Sequence, residues 1–386
     1  MECGVLGAGY ILWSRNMTLR ETRLEIERGI SGGLHFGAQL AVSWKGEMLT
    51  EEALGQNAPF EPLETDHRML WLSACKPVAA VAVGILLDRG LLDLDRPVAD
   101  WIPDFAMKNK GGITVRHLLT HTAGFRGATL GWVPRPWEEA IGVLCATKPE
   151  PHWVPGEQAG YHVDSAWYML GELVRVISGS HYMHFVREEI FLPLGMASCW
   201  IGMPAEAFGA AEDRIALMYD TSGDVPEVSE DLCRPESVMA CRPGGSGRGT
   251  AGDFLKFYEA MRRMTSGEAG ILSTETARLL VHPHRVGMFD RTFRQTMDWG
   301  LGFMLQSEHY APGEVPYQFG SFASRSAFGH CGNQSTAAFC DPAADLCAVV
   351  LCNGMPGEEA HQARMRGILD ALYGDLGLAG GTGLRV

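Results

Sequence analysis

The chain carries a serine and a lysine three positions apart, Ser73-Ala74-Cys75-Lys76, at the head of a run that is apolar on nearly every side. On a helix that spacing sets the two side chains on neighbouring turns of one face. A hydroxyl needs a base to become a nucleophile, and a lysine partly stripped of water is neutral enough to be that base. The N-terminus of a helix disfavours the ammonium further and favours a developing oxyanion. Chance alone yields on the order of one such Ser-x-x-Lys per chain of this length. The position tells more: a lysine in the first turn of a buried helix asks for a reason beyond capping or snorkelling.

Two other segments hold candidate chemistry. Pro155-Gly-Glu-Gln-Ala-Gly-Tyr161-His162 lies just before an expected helix. A tyrosine there can exchange a proton with a neighbouring hydroxyl, and beside an ammonium its phenol pKa can fall, which makes Tyr161 a candidate general base. Taken singly it fits a half-buried core aromatic better. Phe328-Gly-His330-Cys331-Gly332-Asn333 leads into a predicted strand pair. Its glycines allow a ligand close to strand backbone, where an N–H can face a reacting carbonyl. His117 and His121 stand four apart, as on one helix face, but no third ligand is signalled, so no metal is expected. Cys75 turns about 200° from Ser73 on a helix and reads as packing. Trp132, Trp137 and Trp153 fit an acyl pocket or plain aromatic packing.

In this order and spacing the three segments resemble the serine β-lactamase and penicillin-binding-protein-like superfamily. Within it, the likeness is to the branch of class C β-lactamases, D,D-peptidases and family VIII carboxylesterases. It spans about residues 18–375 and includes Ile113-Thr-Val-Arg-His-Leu-Leu-Thr-His-Thr-Ala-Gly-Phe125, Gly249-Thr-Ala-Gly-Asp253 and Trp299-Gly-Leu-Gly-Phe303. The resemblance implies a nucleophilic Ser73, with Lys76 and Tyr161 sharing the proton transfer. It implies an oxyanion hole from the backbone N–H groups of Ser73 and Asn333. His330, Gly332 and Asn333 would face the substrate, with no metal or organic cofactor.

Two departures bear on the substrate. The family's Tyr-x-Asn is Tyr161-His162-Val163, which removes an amide, and its Lys-Thr-Gly is His330-Cys331-Gly332, which removes a permanent cation and a hydroxyl. A thiol is a poor donor and a neutral histidine a weak anion ligand. Esterases and ester-using acyltransferases of the superfamily often show His-x-Gly. The expectation is an acyl-Ser73 intermediate from an ester or activated amide. Water as the acceptor would make a carboxylesterase, and an amine or alcohol a transacylase. A β-lactamase or D-amino-acid peptidase is the enzymatic alternative. A catalytically inactive binding module is the other, and intact Ser73, Lys76 and Tyr161 weigh against it.

These residues need a scaffold. The pattern predicts an α/β fold, an antiparallel sheet flanked by helices with an inserted all-helical domain. Residues 17–92 and 291–386 would make the sheet domain, 93–290 a mainly helical insertion, and the site would lie between them. A helix over 18–30 has Leu19, Ile26 and Ile30 on its core face, ended by Gly32-Gly33. A hairpin joins 37–44 to 47–54 through Lys45-Gly46. The buried helix covers 71–92, shorter ones 115–121 and 164–178, the latter with Asp164 as N-cap and Gly179 past its end. Strands are expected over 300–306, 336–340 and 346–353, and a last helix over 361–373.

Of 386 residues, 46% are hydrophobic and 20% charged, which excludes a mainly disordered chain. The 46 acidic against 32 basic residues leave a net charge of −14, which disfavours nucleic acid and anionic membranes as partners. The remaining partners are a small-molecule acyl donor and an amine or alcohol acceptor. Ten scattered cysteines without a Cys-x-x-Cys fit free thiols in a cytoplasmic protein. No basic n-region opens a signal peptide. Residues 1–16 are expected to be a flexible extension.

Overall fold

The computed structural model describes residues 19–128, 130–132 and 135–380; the expected extension at 1–16 lies outside them. Strands β1 (Gly37–Trp44), β2 (Glu47–Ala58), β3 (Glu61–Pro62), β4 (Met304–Leu305), β5 (Phe328–Gly332), β6 (Thr336–Asp341) and β7 (Leu346–Cys352) form one sheet. Its order is β4-β5-β6-β7-β1-β2-β3, antiparallel throughout. The middle of the sheet is thus made where β1 meets β7, with Leu40 opposite Val350.

Every residue of β7 is buried, which is what a central strand covered on both faces requires. Alternation sends Ala41, Val349 and Leu351 to one core and Leu40, Val42 and Val350 to the other. The second core is closed by helices α1 (Arg20–Ser31) and α6 (Glu358–Asp375), which contribute Ile26, Ile368 and Leu372. The first is closed by α2 (Lys76–Asp88), α3 (Ser165–Ser178), α4 (Ala251–Ser266) and α5 (Thr274–Val281).

Strand β1 coincides with the expected 37–44, whereas β2 runs on to Ala58. The expected strand over 300–306 shrinks to Met304–Leu305. Gly302 there takes φ +77° and donates its N–H to the Leu119 carbonyl at 2.9 Å, so the chain turns instead of extending. The buried helix starts later than 71. Pro77 has no N–H to offer the Ser73 carbonyl, which accepts from the Lys76 N–H instead, and residues Leu72–Cys75 form a tighter 3₁₀ turn. It also ends earlier than 92, at Asp88. The stretch 93–290 is mainly, not wholly, helical. Trp200–Ile201 and Gly247–Gly249 pair beside Met69–Leu70, and Tyr219–Asp220 pairs with Glu227–Val228 and Gly354–Met355. These short ladders satisfy backbone groups where the segment meets the rest of the chain.

Candidate active site

Ser73 sits in the 3₁₀ turn and Lys76 opens α2. Lys76 Nζ donates to Ser73 Oγ at 2.8 Å and to the Gly244 carbonyl at 2.7 Å. Lys76 is fully buried, and burial pushes its pKa down to about 8. At neutral pH on the order of a tenth of it is free amine, a usable base for the hydroxyl it touches. Leu72, just before Ser73, holds φ +50°, a conformation costly for a leucine, and is packed with Leu70, Met218 and Leu232.

The Tyr161 ring lies under Lys76, with Nζ 5.1 Å from its centroid. Several elements hold the tyrosine there. Its N–H donates to Asp290 Oδ1 at 3.2 Å, and its carbonyl accepts from Thr292 Oγ1 at 3.1 Å. The His121 ring packs on it at 4.6 Å, while His121 Nδ1 accepts from the His162 N–H at 2.9 Å. The phenol pKa is raised well above its usual value by burial, with the Ser73 hydroxyl pulling the other way as a hydrogen-bond partner. The expected lowering by a neighbouring ammonium does not occur, because desolvation of the phenolate outweighs it. Tyr161 is therefore held as the neutral phenol, and of the two groups Lys76 is the one whose base form is accessible.

His330 and Asn333 come from the end of β5. His330 Nδ1 carries its proton toward the Cys331 carbonyl at 2.7 Å, which leaves Nε2 a lone-pair acceptor without a protein partner. Burial and the Lys76 charge hold the ring well below its ordinary pKa, hence neutral. Cys331 Sγ donates to the Tyr317 carbonyl at 3.3 Å. A Cβ on Gly332 would come within 2.3 Å of the Trp71 carbonyl, so this glycine admits backbone and not a ligand. Asn333, the next residue, lines the same cavity as Ser73, and each has a backbone N–H. Neither N–H donates to a protein acceptor among the described residues, as an oxyanion site requires.

A cavity of about 620 Å³ opens here, lined by Ser73, Tyr161, His330 and Asn333 together with Val163, Phe293 and Tyr317. Val163 stands where the family carries an asparagine, leaving an apolar wall. Several participants escaped the sequence reading. Asp164, expected as an N-cap, makes no cap bond and instead accepts from Arg242 through both oxygens at 3.2 Å. Asp290 pairs with buried Arg285 at 3.1 Å behind Tyr161. Tyr317 donates to Glu358 at 2.7 Å and lies 3.3 Å from Asn333 Oδ1. None of these is marked by spacing, because their partners are far away in the chain.

The remaining candidates are structural. His117 completes a capping box with Thr114, and the helix ends at Leu119, so His121, at φ +58°, shares no helix face with it. Cys75 Sγ donates to the Pro243 carbonyl, away from the site. The nine described cysteines are free. Trp137 and Trp153 bond to Glu172 and the Thr122 carbonyl, and neither lines the cavity. Among the described residues no helix is long and apolar enough to cross a membrane.

The chain is similar in sequence and in fold to known proteins. The chain is 27% identical over 290 residues to penicillin-binding protein 4* of Bacillus subtilis, covering 70% of this chain and 60% of that protein. Esterase EstB of Burkholderia gladioli is 26% identical over 358 residues, covering 83% and 88%. The chain thus spans about three fifths of the first relative's length and most of the second's. The crystal structure of a family VIII carboxylesterase superposes with a TM-score of 0.75 at 25% identity, covering 92% of this chain and 97% of that one. The family model described as Beta-lactamase matches residues 26–373, nearly the whole of the described chain, and the protein belongs to that family.

Proposed function

We propose that the protein is a serine esterase that works through an acyl-Ser73 intermediate. The observation that carries this reading is the 2.8 Å contact between Lys76 Nζ and Ser73 Oγ, with Lys76 buried and its pKa brought down to about 8. Ser73 Oγ attacks the ester carbonyl as the free amine of Lys76 takes its proton. The oxyanion is met by the N–H groups of Ser73 and Asn333. The proton then passes, by way of the Tyr161 phenol, to the departing alkoxide, and the carbonyl re-forms as acyl-serine. Water releases the acid by the reverse sequence; an alcohol or amine in its place would release an ester or amide.

Esters are favoured over β-lactams by what faces the cavity. A lactam carboxylate calls for a cation and a hydroxyl on β5, and the neutral His330 and a thiol engaged with Tyr317 supply neither. Val163 offers no amide to an acylamino side chain. The relative from B. gladioli is named an esterase, which agrees.

Incubation with p-nitrophenyl butyrate, followed by intact-protein mass spectrometry, tests this. A transient butyryl adduct that vanishes in Ser73→Ala is expected. Full turnover by Ser73→Ala would overturn the assignment, and nitrocefin hydrolysis as fast as ester cleavage would overturn the preference for esters.

A further inference from the structure

The walls around Ser73 are acidic beyond what catalysis needs. At the mouth of the 620 Å³ cavity stand Glu314, Glu358 and Glu359, against Arg294 as the single cation among the described lining residues. Glu358 is engaged by the Tyr317 hydroxyl, and no lysine or arginine among the described residues bonds to any of the three. A second groove, of about 870 Å³, meets the first at Asn333 and runs past Leu72 and Trp132. Its wall carries Asp220, Glu227, Glu230 and Asp231 and, among the described residues, no basic side chain, although Asp231 reaches Arg234 outside it at 3.2 Å. Both openings to the oxyanion residue are therefore negative.

The floor of the cavity makes the same demand independently. His330 is 1% exposed and is one of the cavity's lining residues; its Nε2, itself almost without accessible surface, has no partner among the described residues, while its Nδ1–H is held by the Cys331 carbonyl. The strand that would otherwise present a donor to an anionic substrate presents an acceptor. A buried acceptor left unpaired is costly, so a substrate donor that reaches it gains more than one in water would.

We propose that the site selects a small substrate bearing a protonated amine, brought in by the acidic rims and oriented by hydrogen bonding to His330 Nε2. The inference rests on the esterase reading and adds to it the charge class of the substrate. The ammonium can enter on the acyl donor or on the acyl acceptor, and two arms separate these. In the donor arm, p-nitrophenyl 6-aminohexanoate is compared with the heptanoate, in which a methyl replaces the ammonium. In the acceptor arm, p-nitrophenyl acetate is the donor, and transfer to 5-aminopentan-1-ol is compared with transfer to hexan-1-ol.

Steering of this kind raises association roughly tenfold or more. A preference of about that size for the cationic member in at least one arm is expected. It should shrink as NaCl rises from about 50 to about 500 mM, where the Debye length shortens. The double variant Glu314→Gln/Glu359→Gln, changed only at exposed positions, should lower the cationic-to-neutral ratio by about threefold, and His330→Lys should bring it toward or below one. A ratio at or below one in both arms, or one that neither salt nor either variant moves, would overturn the proposal. Ser73-dependent cleavage of the neutral heptanoate with such a flat ratio leaves the esterase reading standing. Absence of Ser73-dependent cleavage of any of these esters overturns that reading, and this proposal with it.

Discussion

The backbone N–H of Tyr161 donates to Asp290 Oδ1, and the other oxygen of that carboxylate faces Arg285 at 3.1 Å, in a pair that is 0% and 1% exposed. The same Oδ1 accepts from the N–H groups of Thr292 and Phe293 at 2.8 and 3.1 Å. One carboxylate thus fixes Tyr161 and the cavity wall beside it. Removing one partner of a buried pair leaves the other uncompensated, at about 3–5 kcal/mol. Asp290→Asn keeps an acceptor for the three N–H groups but not the charge, whereas Asp290→Ala loses both. Both should lower the urea midpoint, and Ala should reduce kcat more than Asn does, roughly tenfold below wild type. Wild-type kcat in Asp290→Ala would remove the carboxylate from positioning Tyr161.

The proton economy of the site makes a signed prediction. Lys76 acts as base only when deprotonated, and burial brings its pKa to about 8. Ester kcat/KM should therefore rise with pH through about 8 and level off. The Tyr161 phenol, held well above its normal range, adds no falling limb below pH 10. Lys76→Ala should lose about 10²–10⁴-fold, and Tyr161→Phe at least about tenfold. A profile flat from pH 6 to 9 counts against Lys76 as the base.

Gly332 offers a steric test of the oxyanion hole. The Cβ of Gly332→Ala would lie 2.3 Å from the Trp71 carbonyl, a backbone atom that cannot rotate away. Strand β5 must then withdraw from the nucleophile turn. Loss of one oxyanion donor costs about 10²–10³ in kcat, and a loss in that range is expected with KM changing less. Near-normal kcat would show that the Asn333 N–H plays no part.

Acid stability follows from three buried histidines. His35, His162 and His361 are each brought down to about 3, with burial the first cause, and Arg364 bonds to both His35 and His361 at 3.1 Å. The unfolded chain takes up these protons near pH 6.5 and the folded chain does not. Stability is therefore full above about pH 6.5 and falls as pH drops toward 3, by up to about 2 kcal/mol per histidine at pH 5. Urea midpoints at pH 7.5 and 5.0 measure it, and equal midpoints would contradict it.

What could be read from the sequence was local. Ser73 and Lys76 meet because three residues separate them on one helical turn, and β1 is legible because Gly37–Trp44 is closed by Lys45-Gly46. The 3₁₀ turn is local too, because Pro77 in the sequence lacks the N–H that an α-helical turn at Ser73 needs. The phenol of Tyr161 was misjudged because its pKa is set by burial among His121, Phe293 and Trp299, which arrive from distant segments. Asp290, Tyr317 and Glu358 carry no motif of their own. They join the site only because α6 and the 290–317 loops fold over β5, a tertiary outcome that no periodicity encodes.

The pairing of Leu40 with Val350 at the heart of the sheet has a consequence for how the protein is made. A chain leaving the ribosome exposes Ser73 and Lys76 early, yet β1 has no partner on its inner edge until β7 has been synthesised. The Asn333 N–H emerges almost as late. Contacts this distant in sequence close slowly and only together. A nascent chain or fragment that stops short of residue 333 therefore holds Ser73 and Lys76 without Asn333, and the cavity that Ser73 and Asn333 line is assembled only once β7 has been made.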